Sequence, residues 1–430
     1  MIFNILENVK DIFLENIDNS DKIIDLIDSQ IVTKYLEKKN YAEVPTPKFI
    51  RKNILNKIPK NFWKSPKKIF EPCSGKGGFI VEIIRKFMEG LKCKIKDPNK
   101  RYKFIVEECI YWSDINEENI TICKILLDPF NKYNLNFNCG DTLELNIIDK
   151  WNIKSFDAII GNPPFQISVG EKKTLAIWHL FVKKMFELLS YEGYLCFITP
   201  PGWRSPSGNF RNVFNLIMNK KLIYLNMNDL ESGHKVFNVA ICYDYYIVKN
   251  IPDTSSNTEI IDIKDNKYKI NLHTWDFIPF GEFKLFEKLL AFNNAEKVNI
   301  LQDYSSYDSR KLSKIQTDTF HLPCCYTITK KKGMNKLYSN VDKGHFNIPK
   351  VIWSNGIGTY PIVDMNGAYG LTQFSYGIID KPQNLEKIKK AMDTKLFIDL
   401  MKCAKFTNDK YNFKTIGLFK KEFYNCIDLH

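Results

Sequence analysis

The sequence predicts an α/β protein: a doubly wound, mostly parallel sheet followed by a smaller region of mixed α+β structure. Three observations carry that prediction. Between about Lys68 and Asn250, short apolar runs of strand type alternate with longer runs of helical periodicity. Strands separated by helices are joined by crossovers, which makes them parallel. The first such strand enters a glycine-rich turn, EPCSGKGGF (71–79), that opens a helix, as the ligand-binding turns of doubly wound sheets do. After Asn250 the alternation stops, and glycines and aromatic residues crowd into short stretches.

In chain order, the 430 residues, 44% of them hydrophobic, suffice for two or three cores. The opening MIFNILENVKDIFLENI alternates charge with apolar side chains, so residues 1–40 are expected to form a helical extension and not a signal peptide. No apolar run is long enough to span a bilayer, and the expectation is a soluble, intracellular protein with no membrane partner. AEVPTPKFIRKNILNKI (42–58) places a Pro-Thr-Pro turn before an amphipathic helix with Phe49, Ile50, Ile54 and Leu55 on one face. Strand-like runs follow at KIF (68–70), CIYW (109–112), NFNC (136–139), FDAII (156–160), YLCFIT (194–199) and ICYDYYIV (241–248). Between them FIVEIIRKFM, NEENITICKILL and AIWHLFVKKMFELL have helical spacing.

The polar NIPDTSSNTEI (250–260) reads as a loop and a boundary. It divides the chain into the extension (1–40), a ligand-binding domain (41–250) and a second domain (251–430). In the last, GEFKLFEKLLAF (281–292) looks helical, while residues 351–379 read as short strands joined by tight turns. There Gly356, Gly358, Gly367 and Gly370 stand among Trp353, Tyr360 and Tyr369, a pattern that suits an aromatic surface or a small core equally.

Eleven cysteines are scattered with no CxxC pair, which points to reduced thiols and neither a disulfide framework nor a metal site. A net charge of +13 fits a polyanionic partner, and equally a chain simply rich in Lys, Asn and Ile.

The chemistry concentrates at predicted strand ends. In EPCSGKGGF, Gly75, Gly77 and Gly78 let the backbone bend and a ligand come close. The turn lacks the GKS or GKT ending of a phosphate loop, and Glu71 at the strand end would repel phosphate; it suits a cofactor with a positive amino group. Asp114 in YWSDIN is placed to accept from ribose hydroxyls, and Asp141 in NCGDTLEL from an adenine amine. Each acid alone reads as a helix cap or a solvated carboxylate. Three of them at the carboxyl ends of successive strands mark the edge where doubly wound sheets bind ligands. The fourth strand ends in GNPPF (161–165), a rigid turn with an amide, two prolines and an aromatic ring, more than a stop signal needs.

Taken together, PTPKFI, EPCSGKGGF, SDIN, CGDTLE, GNPPF, GYLCFITPPGW and KVFNVAICYDYYIVKN resemble the gamma class of DNA adenine-N6 methyltransferases, S-adenosylmethionine enzymes many of which serve restriction–modification systems. The likeness runs from about Val44 to Asn250, and the rest of the chain falls where that class carries its target-recognition domain. It implies a Rossmann-like methyltransferase sheet, with Thr46 and Pro47 closing over the methionine part of the cofactor. Glu71 and Gly75 would surround the amino-acid moiety, Asp114 and Ile115 the ribose, and Asp141 and Thr142 the adenine. Asn162, Pro163, Pro164 and Phe165 correspond to the catalytic tetrapeptide, with Asn162 also beside the cofactor. Phe237 in KVFN corresponds to a second aromatic that contacts the extruded base. Many relatives have Tyr where Phe165 stands, so the ring face is kept and the hydroxyl lost.

This assignment explains the turn. The lone pair of an adenine amine is delocalised into the ring; the Asn162 amide oxygen and the Pro163 carbonyl can accept its two hydrogens and favour a pyramidal, nucleophilic nitrogen. Phe165 offers a face to a base rotated out of the duplex. The rivals are RNA adenine or guanine methyltransferases, protein-glutamine methyltransferases, modification subunits of multi-subunit restriction enzymes, cytosine-N4 enzymes, and a catalytically silent nucleic-acid-binding fold. PTPKFI and the large C-terminal region favour double-stranded DNA as partner. The basic run TITKKKGMNK (327–336), with Lys330, Lys331, Lys332 and Lys336, is expected to meet phosphates. The expectation is a monomeric modification enzyme without bound metal, any cognate restriction endonuclease being a separate protein.

Overall fold

The computed structural model describes residues 45–169, 173–205, 208–253, 255–301, 306–354, 360–404 and 413–427. The extension expected over 1–40 lies outside them, as do Gly356 and Gly358. The described residues fall into two units, the first running to Trp203 and from Asn212 to His273, the second comprising Arg204–Arg211 and the residues from Thr274 onward.

The first unit is built on β1 (Ile69–Glu71), β2 (Ile110–Asp114), β3 (Asn136–Cys139), β4 (Phe156–Gly161), a separate hairpin of β5 (Gln166–Val169) and β6 (Lys173–Ala176), then β7 (Leu189–Thr199), β8 (Lys220–Asn228), β9 (Tyr243–Pro252), β10 (Thr258–Ile261) and β11 (Lys267–Ile270). Nine of these form one sheet in the order β11-β10-β8-β9-β7-β4-β1-β2-β3. β1, β2, β3, β4 and β7 are mutually parallel where they pair, as are β8 and β10. β9 runs antiparallel between β7 and β8, and β11 antiparallel to β10. The mostly parallel, doubly wound sheet is as the alternation predicts. Because β1 has β2 on one side and β4 on the other, the strand order reverses there, and the carboxyl ends of β1 and β4 border a ready crevice.

The helices earn their places by one apolar face. In Gly78–Gly90 the buried Phe79, Ile80, Ile83, Ile84 and Phe87 pack into a core shared with Trp63, Trp112 and Ile160. Burying each such side chain contributes about 1.5–3 kcal/mol. Helix Glu117–Leu127 starts cleanly because the Asn116 side chain accepts from the Glu118 amide.

Two expectations shift. On helix Lys48–Lys57 the buried face is Ile50, Arg51, Ile54 and Leu55, while Phe49 is 55% exposed. An arginine takes the inward position that the apolar pattern gave to the phenylalanine. The boundary expected at 250 falls inside β9, and part of the supposed loop, from Thr258, is strand β10. The first unit therefore continues to His273. The polar residues that suggested a loop belong to an edge region where β10 and β11 alternate buried or half-buried with exposed positions.

The second unit is mixed α+β. One antiparallel sheet has the order β12 (Asn299–Leu301), β18 (Ser375–Ile379), β15 (Lys350–Ser354), β16 (Ile362–Asp364); a mixed sheet has β14 (Gly333–Ser339) antiparallel to β13 (Leu322–Thr329) and β17 (Gly370–Leu371) parallel to it. Helices Phe283–Leu289, Pro382–Met392 and Lys395–Cys403 belong to the same unit. The short strands expected over 351–379 are present, and their aromatics divide. Trp353 is buried and stacked on Tyr376 at 5.6 Å, whereas Tyr360 is 37% exposed. Gly367, at φ 64°, is required, since a Cβ there would stand 2.1 Å from the Ile348 amide nitrogen.

Candidate active site

Four loops at the carboxyl ends of β1, β2, β3 and β4 line a cleft of about 710 Å³, a size that suits a cofactor-sized ligand. The glycine-rich turn after β1 supplies Pro72, Cys73, Ser74, Gly75, Lys76 and Gly78 to its wall. The turn closes through Gly77, which has φ 84° and leads into helix Gly78–Gly90. A Cβ at Gly77 would stand 3.1 Å from the Cys123 sulfur, so both backbone and space call for glycine.

Glu71, at the end of β1, is 3% exposed, and its Oε2 has no hydrogen-bond partner. Burial raises its carboxyl well above the usual range; the Arg51 charge lowers it, Asp114 raises it further, and the Ile80 amide lowers it. Asp114, at the end of β2, accepts from the Gly75 amide at 2.8 Å with Oδ2, and from the Asn116 amide at 2.8 Å and the Asn119 side chain at 3.3 Å with Oδ1. Burial raises its carboxyl too, against those hydrogen bonds. Asp114 thus fixes the turn after β1 as well as facing the cleft. Burial, with the charges of Asp114, Glu71 and Asp141, pushes the Cys73 thiol well up, which keeps it protonated and a poor nucleophile.

After β3, Asp141 lies exposed on the cleft, where it caps a short turn through the Leu143 amide at 2.9 Å. Thr142 is buried; its hydroxyl bonds the Pro72 carbonyl at 2.6 Å and the Ser113 hydroxyl at 2.8 Å, tying the loops after β1 and β3 to the last residues of β2. Ile115 is 59% exposed and offers an apolar rim. Pro47 caps helix Lys48–Lys57 and accepts from Ile50 and Arg51, and it is Pro45 and Thr46 that line the cleft.

After β4, Asn162, Pro163, Pro164 and Phe165 all line the same cleft. The Asn162 amide nitrogen donates to the Thr46 hydroxyl at 3.2 Å, and its buried Oδ1 has no partner. In this orientation the oxygen is the open acceptor. Phe165 is half-buried. Phe237, on helix Leu230–Phe237, is buried, lines the cleft and meets Tyr243 edge-on at 4.8 Å.

The structure therefore gathers Thr46, Glu71, Gly75, Asp114, Ile115, Asp141, Thr142, Asn162, Pro163, Pro164, Phe165 and Phe237 around one cleft, with Pro47 just behind it. The four lysines belong to the second unit: Lys330, Lys331 and Lys332 form the exposed turn between β13 and β14, and the exposed Lys336 has its ammonium 4.9 Å from the Tyr369 ring centre.

Two features escaped sequence reasoning. Arg51 is 3% exposed and lines the cleft. The hairpin β5–β6, directly after the Asn-Pro-Pro-Phe turn, pairs Ile167 with Leu175; both are at least 40% exposed and both line the cleft. Alternation in QISV, a glycine, then TLA was a readable signal for it. Among the described residues no cluster of three metal-ligating side chains occurs, and no helix is long and apolar enough to cross a membrane.

Residues 108–237 match the family model of the Eco57I restriction-modification methylase. Curated proteins gave no match. Among solved structures, the type IIL restriction-modification enzyme MmeI in complex with DNA is 12% identical, with 86% of this chain and 66% of that one covered and a TM-score of 0.48. The DrdV–DNA complex is 10% identical, covering 84% and 51%, with a TM-score of 0.46. The type I restriction-modification methyltransferase subunit from Streptococcus thermophilus is 14% identical, covering 54% and 51%, at 0.37. The chain spans about half to two thirds of the length of these structures. The segment similar to a restriction-modification methylase carries Asp114, Asp141, the Asn-Pro-Pro-Phe turn and Phe237, while Thr46, Arg51 and Glu71 lie ahead of it.

Proposed function

We propose that this chain is a site-specific, S-adenosylmethionine-dependent DNA methyltransferase acting on the exocyclic N6 amine of adenine. One observation carries the reading: a single cleft joins a rigid Asn-Pro-Pro-Phe turn bearing the unpartnered Asn162 Oδ1 to a buried Glu71 carboxyl with an unpartnered Oε2. An open acceptor beside a proline-fixed carbonyl suits an amine with two hydrogens, and an open buried carboxylate suits an ammonium. The residues present fit the cofactor. Glu71 would take its amino group, with Thr46, Pro47 and Gly75 around the amino-acid part. Asp114 and Ile115 would face the ribose, and Asp141 and Thr142 the adenine. When bound, the cofactor supplies an electrophilic methyl group on a sulfonium.

The protein's own work is orientation. Asn162 Oδ1 and the Pro163 carbonyl accept the amine's hydrogens, which draws its lone pair out of conjugation. Pro164 stiffens the turn, so little reorganisation is needed at the moment of transfer. Phe165 and Phe237 bracket a base lifted from the duplex, each stacking contact contributing about 1–3 kcal/mol. In this reading the sheet unit, whose described residues run from Pro45 to Trp203 and from Asn212 to His273, is the catalytic domain. The second unit reads the target, and Lys330, Lys331, Lys332 and Lys336 meet phosphates. The enzyme would act as a monomer on double-stranded DNA.

The test is single-turnover methyl transfer to duplex DNA of mixed sequence, with nucleoside analysis and sequencing of modified positions. N6-methyladenine at one sequence context is the expected product. Methyl groups on RNA, on protein glutamine or on cytosine N4 would replace the substrate. Cofactor binding without any methylated product would point to a silent nucleic-acid-binding fold.

A further inference from the structure

Building on the reading of the second unit as the part that recognises DNA, we propose that Arg310 reads a guanine of the target site in the major groove, with Asp308 holding it in position.

Arg310 lies on the short turn Ser309–Lys311. Its side chain is 85% exposed, yet it is held: Nε donates to Asp308 Oδ1 and Nη2 to Asp308 Oδ2, both at 2.9 Å. This side-on pair occupies one edge of the guanidinium. The other edge, Nη1 with the second hydrogen of Nη2, has no acceptor among the described residues. It presents two parallel donors, the pattern that pairs with O6 and N7 of guanine. Adenine sets a donor beside N7, cytosine offers a donor and thymine one acceptor, so none of them takes both bonds. A phosphate is a poorer occupant, because its charge would meet the Asp308 carboxylate as well as the guanidinium, whereas a guanine edge is neutral. An ion pair this exposed contributes little to stability. What Asp308 supplies is orientation, which removes ordering that binding would otherwise require.

The turn is itself fastened. Asp308 accepts from the Arg310 amide at 3.1 Å, and Gln373 accepts from the Ser309 amide at 2.9 Å and donates to the Ser309 hydroxyl at 2.7 Å. Ahead of the turn, the Tyr307 amide donates to the Leu371 carbonyl on β17. After it, Ser313 and Tyr338 of β14 exchange both backbone hydrogen bonds. The segment is therefore tied to both outer strands of the β14-β13-β17 sheet, whose β13–β14 turn carries Lys330, Lys331 and Lys332. Residues 307–314, YDSRKLSK, hold three cations and one acid, a balance that suits a polyanion. One rigid sheet thus joins lysines suited to phosphates, which fix register, to an arginine suited to a base edge, which carries sequence.

The experiment is methylation of a random-sequence duplex library by the full chain, with sequencing of every modified position. The wild-type context should contain a guanine at a fixed distance from the methylated base. Arg310→Ala should reduce the preference for that guanine by about 5- to 150-fold and leave the other positions of the context as they were. Arg310→Lys should relax the same position, since the charge is kept and the fork lost. Asp308→Asn should relax it less, because the arginine remains but is held by one acceptor fewer. Thermal unfolding of the three variants should match the wild type, as expected for side chains this exposed. If Arg310→Ala weakened methylation equally on all sequences and Arg310→Lys restored it, the contact would be a phosphate and the proposal overturned. A context without any guanine that depends on Arg310 would overturn it too. A wild-type chain that methylates no duplex would overturn the methyltransferase reading, and this assignment with it.

Discussion

Lys350 in the second unit and Glu71 in the first are both charged groups taken out of water, but their surroundings differ. Lys350 sits on β15 opposite Asp364 of β16, 2.8 Å from its carboxylate, and also donates to the His345 and Ile348 carbonyls. Asp364 accepts in addition from the Ala368 and Tyr369 amides. Burial lowers the Lys350 ammonium, and Asp364 pulls it back up. Nearby His345 is buried, its Nδ1 accepting from the Leu371 amide, and burial pushes its imidazole down to about 4. Every ammonium proton of Lys350 has an acceptor, whereas Glu71 and Asn162 each keep a buried oxygen without a donor. A buried polar group with all partners present holds architecture together. One with a partner missing on the wall of a cleft, as here, is open to a ligand.

The largest effect should come from breaking the satisfied pair. Lys350→Met leaves Asp364 buried without its cation and should cost about 3–5 kcal/mol in chemical denaturation. Adding Asp364→Leu should recover much of that loss. A cost below about 1 kcal/mol would mean that water reaches the pair and that the contrast with Glu71 is false.

Asn162→Ala should behave the opposite way. It forfeits one 3.2 Å bond to Thr46, so stability should change by about 1 kcal/mol or less. Single-turnover methylation should drop by about 10²–10³, because the acceptor matters most as the nitrogen turns pyramidal. An undiminished rate would sink the mechanism and leave the fold standing.

A smaller effect is expected from pH. Burial raises the Glu71 carboxyl, so the folded chain holds its proton more tightly than the unfolded chain does. The resulting stability is full below the ordinary glutamate range, about 4.3, and is lost as pH climbs through the raised folded value. An ammonium needs the ionised form, so S-adenosylhomocysteine affinity should rise with pH across that window, by about tenfold per unit at most. Glu71→Gln should flatten the rise; an unchanged pH profile in that variant would remove Glu71 from cofactor binding.

The smallest effect on the fold belongs to the exposed lysines. Replacing Lys330, Lys331, Lys332 and Lys336 with alanine should leave stability within about 0.5 kcal/mol. DNA affinity should become less salt-dependent, its slope falling by about one for each phosphate no longer neutralised. An unaltered slope would make them ordinary solvated charges.

What the sequence determined by itself is the sheet and most of the cleft. Strand and helix periods, the glycines of EPCSGKGGF and the prolines of GNPPF are local signals, because φ restrictions and side-chain alternation act within a few residues. Glu71, Asp114, Asp141 and Asn162 were legible because each stands at the end of such a run. Arg51 was not, for its burial depends on the space at Gly78 and on Glu71, brought near only when helix Lys48–Lys57 packs on helix Gly78–Gly90. The structural roles of Asp114 and Thr142 were hidden for the same reason: their partners, Gly75 and Pro72, lie on a different strand-end loop. The end of the first unit at His273 was likewise decided by tertiary structure, since β10 becomes a strand by pairing with β8, more than thirty residues earlier. Local rules settle where a chain turns and which way a strand faces; which polar groups lose their water, and which keep an open valence there, is settled only when distant segments close around them.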